Sequence, residues 1–186
     1  MDAAVTDDLT ELAERCRAGD AIAMRQLVER LHRPVLSLCL RMMAHYQDAE
    51  DAAQESLVRM VRYLDGWDRS RAFVPWVMAI AANRCRTARQ KRRQQATSQP
   101  LVHEVEGRVP AHSNGDIAPL VQQALQQLRD DYRVAFILFH IENLSIADVS
   151  DSLQVPTGTV KVWLHRARKE LADILRTLGV QPGDGS

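Results

Sequence analysis

Between Ser145 and Leu171 two helical patterns meet across a turn too short to let them run apart. Such a pair must cross steeply and share one core, which is the helix-turn-helix arrangement. In the first helix Ile146, Val149 and Leu153 recur at i, i+3 and i+7 and form one apolar stripe. Ser145 stands just ahead as an N-cap, able to accept from the free amides of the first turn. Gln154-Val155-Pro156-Thr157-Gly158-Thr159 makes the turn. Pro156 suits the first position of the second helix, where no backbone N–H is needed. In that helix Val160, Leu164, Ala167 and Leu171 share one face, while Val162, His165, Arg166 and Lys169 lie opposite, flanked by Lys161 and Arg168. A helix that buries one side and shows cations on the other can lie in a DNA major groove. A solvated face on an ordinary bundle fits the charges equally well but leaves the closely joined pair unexplained.

Bulk charge says nothing about partners, because 24 Lys and Arg balance 24 Asp and Glu over 186 residues. The distribution is more telling. Arg84, Arg86, Arg89, Lys91, Arg92 and Arg93 form a cationic run without an acid inside it, whereas the first twenty residues and Asp48–Glu55 are acidic. Segregated charge of this kind suits separate faces for anionic and for basic partners. Cys16, Cys39 and Cys85 are far apart and form no C-x-x-C pair, the usage of a reducing cytoplasm in which a thiol packs as a small hydrophobe. No closely spaced ligand set points to zinc, so neither metal nor cofactor is expected. No apolar run approaches the length of about 18 residues that a membrane span needs, and Met1-Asp2-Ala3-Ala4 lacks the start of a signal peptide. The expectation is a cytoplasmic protein without membrane insertion.

Helical periodicity dominates the whole chain. Asp8 to Arg17 reads as a first helix, broken by Ala18-Gly19-Asp20, with Gly19 as C′ residue and Asp20 as the next N-cap. The following helix turns Ile22, Leu27, Val28 and Leu31 inward. Pro34 then opens or kinks a segment, Val35 to Met43, that is apolar nearly all round and therefore buried. A helix from Asp48 to about Leu64 carries Ala53, Leu57, Met60, Val61 and Leu64 on its inner stripe and Asp48, Asp51, Gln54 and Glu55 outside. Those carboxylates could hold a divalent metal, complement the helix dipole, or dock a basic partner. Asp65 to Ser70 is a loop, and Phe73-Val74-Pro75-Trp76 starts a helix that runs through Ile80, Ala81 and Asn83 into the cationic run. Aromatic rings beside a basic helix are what single-stranded nucleic acid binds. Trp76 reads as core, and Trp67, on the loop, as the more open ring. Residues 94–119 lose all apolar period and form a linker that includes His103 and His112. Beyond it come a helix from Leu120 to Leu128, another capped by Asp130 or Asp131 through Ile141, a left-handed Asn143, the helix-turn-helix, and a tail over 179–186.

Four stretches in this order resemble one family. They are Ala18-Gly19-Asp20; Asp48-Ala49-Glu50-Asp51 with Gln54-Glu55; Phe73 with Trp76, Ile80-Ala81 and Asn83; and Gly158-Thr159-Val160-Lys161 with Leu164-His165-Arg166-Ala167-Arg168. Together they resemble the extracytoplasmic-function sigma factors, the compact class of the sigma-70 family, from about Leu9 to Leu178. The resemblance implies an all-α chain of two small helical domains joined by a flexible linker: a domain 2-like bundle over 1–93 and a domain 4-like helix-turn-helix over 120–178. It implies a non-catalytic factor that directs bacterial core RNA polymerase to promoters and assists melting at −10. Asp48, Asp51, Gln54 and Glu55 would then meet the β′ clamp helices of the polymerase, with the β flap as a second contact. Asp65 would belong to the −10-binding loop, Trp67, Ile80 and Asn83 would form the pocket for a flipped −10 base, Asn83 offering both donor and acceptor, while Arg84, Arg86 and Arg89 hold phosphates. Lys161, Val162, His165 and Arg166 would lie nearest the −35 base edges, with Thr159 also in the −35 contact and Arg168 and Lys169 on the backbone. An anti-sigma protein would cover the acidic helix and the domain 4 groove.

The chain departs from the family pattern in places. Gln154 stands where the turn usually has Gly, so a left-handed residue there is mildly strained. Ser150 and Ser152 replace Ala and an apolar residue, which weakens the expected packing, and Trp163 replaces a cation. Pro75 stands where Thr is frequent. Two other function classes remain: a stand-alone helix-turn-helix regulator, which predicts a two-fold symmetric duplex site, and a metal-dependent enzyme using Asp48, Asp51 and Glu55. No Gly-Lys phosphate loop supports nucleotide hydrolysis.

Overall fold

A computed structural model of the chain describes residues 3–97 and 117–180. Those residues form eight α-helices. Helices α1 (Ala3–Arg17), α2 (Ala21–Met42), α3 (Tyr46–Tyr63) and α4 (Phe73–Thr97) make the first bundle. Helices α5 (Ile117–Gln127), α6 (Asp130–Phe136, continued by a wide turn over Ile137–Ile141), α7 (Ile146–Leu153) and α8 (Thr157–Thr177) make the second.

The joint between α1 and α2 follows from three residues. Gly19 takes φ 89, which only a residue without Cβ adopts cheaply. Asp20 caps α2 by accepting from the amides of Ile22 and Ala23, and Arg15 donates to the same carboxylate at 2.7 Å. Backbone donation at Ala23 and the Arg15 bond hold the Asp20 carboxyl below its usual range. Helix α2 runs unbroken through Pro34, and from Pro34 to Met43 no residue is fully exposed. Its buried stripe is Ala23, Leu27, Leu31, Val35, Leu38, Cys39 and Met42. Ile22, expected inside, points outward, because the cap at Asp20 sets the phase of the helix and turns Ala23 to the core.

Helix α3 begins at Tyr46, one residue pair before the expected Asp48, and buries Ala49, Ala52, Ala53, Ser56, Leu57 and Met60. Small residues on this stripe let α3 approach α2 and α4 closely. Val61, assigned to the inner face, is exposed. The three cysteines are buried in this bundle with free thiols. Burial pushes Cys16 up, and contact with Cys85 together with burial pushes Cys39 far up, so both remain protonated and act as packing groups.

In the second bundle Ser145 and Asp148 form a reciprocal capping box at the start of α7. Asn143 and Gln154 both take left-handed conformations, at φ 56 and φ 54. Val160, Leu164, Ala167 and Leu171 are the buried stripe of α8. Pro156 is the N-cap of α8 and not its first residue: its carbonyl accepts from Thr159 and Val160 at 2.9 and 3.2 Å. Asp130 and Asp131 likewise are not caps. Arg129 holds that position without a side-chain bond, and the two acids lie in the first turn of α6. Both serine departures find partners. Ser150 Oγ donates to Val155 O at 2.5 Å inside the turn, and Ser152 Oγ donates across to Pro75 O at 3.4 Å.

The expected linker over 94–119 is trimmed at both ends, since α4 continues to Thr97 and α5 starts at Ile117. His103 and His112 fall outside the described residues, as does the tail beyond Val180. The two bundles abut. Helix α7 packs on α4 and α5 packs on the end of α2, so the buried side chains form one continuous core.

Candidate nucleic-acid interface

Three faces carry the residues singled out in the sequence. On α3, Asp51 and Gln54 are exposed. Asp48 pairs with Arg92 of α4. Glu55 accepts from Arg59 at 3.2 Å and from Arg84 at 2.5 Å. Beside these acids stand Val58, 56% exposed, and Val61, which the stripe pattern misplaced. Val58 and Val61 follow Gln54 by four and seven residues and so extend the acidic stripe; that spacing was available in the sequence. An acidic and apolar strip suits a docking partner with basic rims. Two of the three carboxylates proposed for a metal are instead neutralised by arginines, and among the described residues no group of His, Cys, Asp or Glu is placed to hold an ion.

The second face is the loop after α3 and the length of α4. Trp67 requires correction. It is 3% exposed, lies edge-on to Phe73 at 4.9 Å, and donates from Nε1 to Arg71 O at 3.2 Å. A ring in that position cannot stack on a base without unfolding the loop; it floors the loop instead. No local pattern announces this, because the anchor is a backbone carbonyl four residues on. The Asp65 carboxylate is open, with Arg17 Nε 3.9 Å away, while Arg17 Nη2 donates to the Asp65 carbonyl at 3.2 Å; Asp68 closes the loop by accepting from Ser70 N at 2.9 Å. Ile80 is half-buried and Asn83 sits on the outer edge of α4.

From Asn83 onward α4 faces the second bundle. Asn83 Nδ2 donates to Ser152 O at 3.3 Å. Arg86 meets Asp131 at 3.0 Å, Arg89 meets Asp130 at 2.9 Å, and Arg93 meets Asp130 at 3.3 Å. Arg89 also donates to Gln126 Oε1 at 2.9 Å and Met42 O at 3.2 Å. Burial pushes the Asp130 carboxyl up, but Arg89, with Arg133 and Arg93, outweighs it and holds the group below its usual range. Arg84 stays within the first bundle on Glu55, with its Nε buried and unpaired. Asp130 and Asp131 were read from sequence as caps and Ser152 as a packing departure, and none as a partner of α4, since they lie 37–69 positions away along the chain.

The third face is α8. Lys161, Val162, His165, Arg166, Arg168 and Lys169 are all exposed, and Thr159 is half-exposed at its start. Val162 is 48% exposed, an apolar group set among cations as contact with a thymine methyl needs. Arg166 is steadied by Tyr132, whose hydroxyl accepts from its Nη1 at 3.0 Å. Trp163 is half-buried against the core and does not belong to this face.

Two family models match the chain: Sigma-70 region 2 over residues 27–95 and Sigma-70, region 4 over residues 119–171. The chain is 32% identical to the ECF RNA polymerase sigma factor SigM of Mycobacterium tuberculosis, over 85% of this chain and 80% of that one. The chain belongs to the extracytoplasmic-function sigma factors of the sigma-70 family. SigW of Bacillus subtilis, another such factor, is 29% identical over 89% of this chain and 95% of its own. The fold is shared with the sigma factor RpoE, solved in complex with the anti-sigma factor NepR from Bartonella quintana. That match has TM-score 0.70 and 21% identity and covers 82% of this chain and 96% of that one. The sigma factor described here therefore matches both region 2 and region 4 of that family. Its region 2 match includes the whole acidic strip of α3 and the basic stretch of α4, and its region 4 match includes α8 as far as Leu171. Among the described residues no helix is long and apolar enough to cross a membrane.

Proposed function

We propose that this sigma factor divides its work among the three faces. The strip of Asp51, Gln54 and Val58, with Asp48 and Glu55 at its margin, docks on core RNA polymerase. Asp65, Ile80 and Asn83 engage the unstacked −10 strand while Arg84, Arg86 and Arg89 hold its phosphates. Helix α8 enters the −35 major groove with Lys161, Val162, His165 and Arg166 toward the bases, and Arg168 and Lys169 on the backbone. The observation that carries this reading is the exposed cationic face of α8, set opposite a buried apolar stripe in a helix-turn-helix. Melting rests on base capture and backbone charge, with no turnover by the factor itself. Relatives of this fold have been solved with anti-sigma proteins, and an inhibitor of that kind would act by covering the strip on α3 and the groove beside α8.

The test is to add the protein to core polymerase and sequence the transcripts made from a genomic library. Start sites sharing −10 and −35 elements, absent with core alone, are expected. Asn83→Ala should shift the preferred −10 base, whereas Arg168→Ala should weaken all promoters alike and lower the salt slope by about one. Tight binding to a two-fold symmetric duplex, with no polymerase-dependent transcripts, would favour the stand-alone regulator.

A further inference from the structure

Most cations on the outer face of α8 are held by nothing outside their own helix. Arg168 Nε donates to Leu164 O at 3.3 Å, within α8. Lys161, His165 and Lys169 have no side-chain partner in another element among the described residues. Arg166 is different. Its Nη1 donates at 3.0 Å to the hydroxyl of Tyr132, which belongs to α6 and not to the helix-turn-helix. Tyr132 cannot follow the arginine about. It is 4% exposed and belongs to the core, and Arg129 lies over its ring with the guanidinium carbon 5.4 Å from the centroid. Attraction from Glu170, one turn on in α8, adds to the hold on Arg166.

Packing alone calls for a ring at this place, and phenylalanine would fill the same space. The oxygen has a separate use. An unanchored arginine spreads its guanidinium over many rotamers, and that freedom is lost when the fork settles on one base edge. A phosphate contact tolerates the spread, because charge is met from many directions. A base contact does not. With Nη1 tied to Tyr132, the plane of the fork is set before DNA arrives. Its Nε and Nη2 edge remains for a base, and two parallel donors of that kind match O6 and N7 of guanine. Resting on the −35 role proposed above for Arg166, we propose that Tyr132 is a positioning residue of promoter recognition, setting the direction from which Arg166 reads a guanine. Helix α6, outside the helix-turn-helix, thereby takes part in −35 preference.

The test uses holoenzyme assembled from the full chain and core polymerase. Its templates are promoters found by transcript mapping, with the −35 element varied one base pair at a time. Arg166→Ala marks the position that Arg166 reads, as the place where discrimination among base pairs collapses. Tyr132→Phe keeps the ring and removes only the oxygen. At that same position it should lower transcription from the preferred G·C pair by about three- to tenfold, the worth of one ordinary hydrogen bond. The ranking at every other position should match the parent, and the salt slope should not change, since no phosphate contact is lost. The double variant should be no worse than Arg166→Ala, because the hydroxyl acts only through the arginine. Additive losses, or a Tyr132→Phe loss spread evenly over all −35 positions, would leave Tyr132 a packing group and overturn the proposal, whether or not Tm falls. An A·T pair at the marked position would overturn it as well. Parent-like preference in Tyr132→Phe where Arg166→Ala has its effect rejects this inference alone. If Arg166→Ala alters no position, the base-reading role of Arg166 fails first and the inference falls with it.

Discussion

Gln154 shows how one side chain can be read from sequence and still carry a cost. It sits at φ 54 and ψ 45, a region in which Cβ crowds the following carbonyl. The turn needs that conformation, because the Gln154 and Val155 amides must reach back to Asp151 O and Ser150 O at 3.3 and 3.1 Å. Gln154→Gly should therefore stabilise the second bundle by about 0.5–1 kcal/mol, seen as a rise in Tm with DNA affinity unchanged. A drop in Tm would mean that the Gln side chain contributes more than its strain costs. Ser150 and Ser152 teach the opposite lesson. Read from sequence they weaken packing, yet Ser150 closes the turn and Ser152 bridges to α4, partners that no spacing rule reveals. Trp67 is the same case in reverse, an aromatic that looked free and is held by a carbonyl of its own loop.

Helices themselves were legible wherever a cap or a stripe marked them. Asp20, Ser145 and Asn143 punctuate the chain as their chemistry predicts, and the buried stripe of α8 matches its pattern residue for residue. The joint between α5 and α6 was not legible. It is built on Arg133, a cation 1% exposed whose guanidinium donates to Leu125 O at 2.5 Å, Gln126 O at 2.7 Å and Leu128 O at 2.6 Å, and pairs with Asp130 at 2.9 Å. Burial, with repulsion from Arg89, pulls its pKa down to about 10 despite Asp130, so it stays charged at neutral pH. Nothing in the local spacing of the sequence marks this arginine out. Arg133→Met should cost roughly 3–5 kcal/mol, because two buried carbonyls and a half-buried one lose their donor. Thermal denaturation should then show the second bundle melting well before the first. Cooperative melting at the parent temperature would show that water replaces the guanidinium.

Over the whole molecule, charge decides how the bundles sit. Asp130 has a depressed pKa where the bundles abut, so its contribution is complete above the ordinary carboxylate value near 3.9 and is lost as pH falls through the lower folded value. Arg86, Arg89 and Arg93 face it and Asp131 from α4, Arg133 and Arg129 from its own side. Small-angle scattering at neutral pH and low salt should give a radius of gyration near 16 Å. Acid below about pH 4, or salt near 1 M, which shortens the screening length to roughly 3 Å, should increase it while helix content is retained. An expanded radius under all conditions would place the bundles apart in solution. The sequence by itself determined the run of helices, the caps at Asp20 and Ser145, the family and the division into two helical units, because those follow from local spacing and from side chains within a few residues of each other. Only the tertiary structure decided which of the three faces is open. That depends on Asp130 and Asp131 meeting arginines some forty positions away, a pairing set by how α5 and α7 pack on α2 and α4 and by no pattern within either segment.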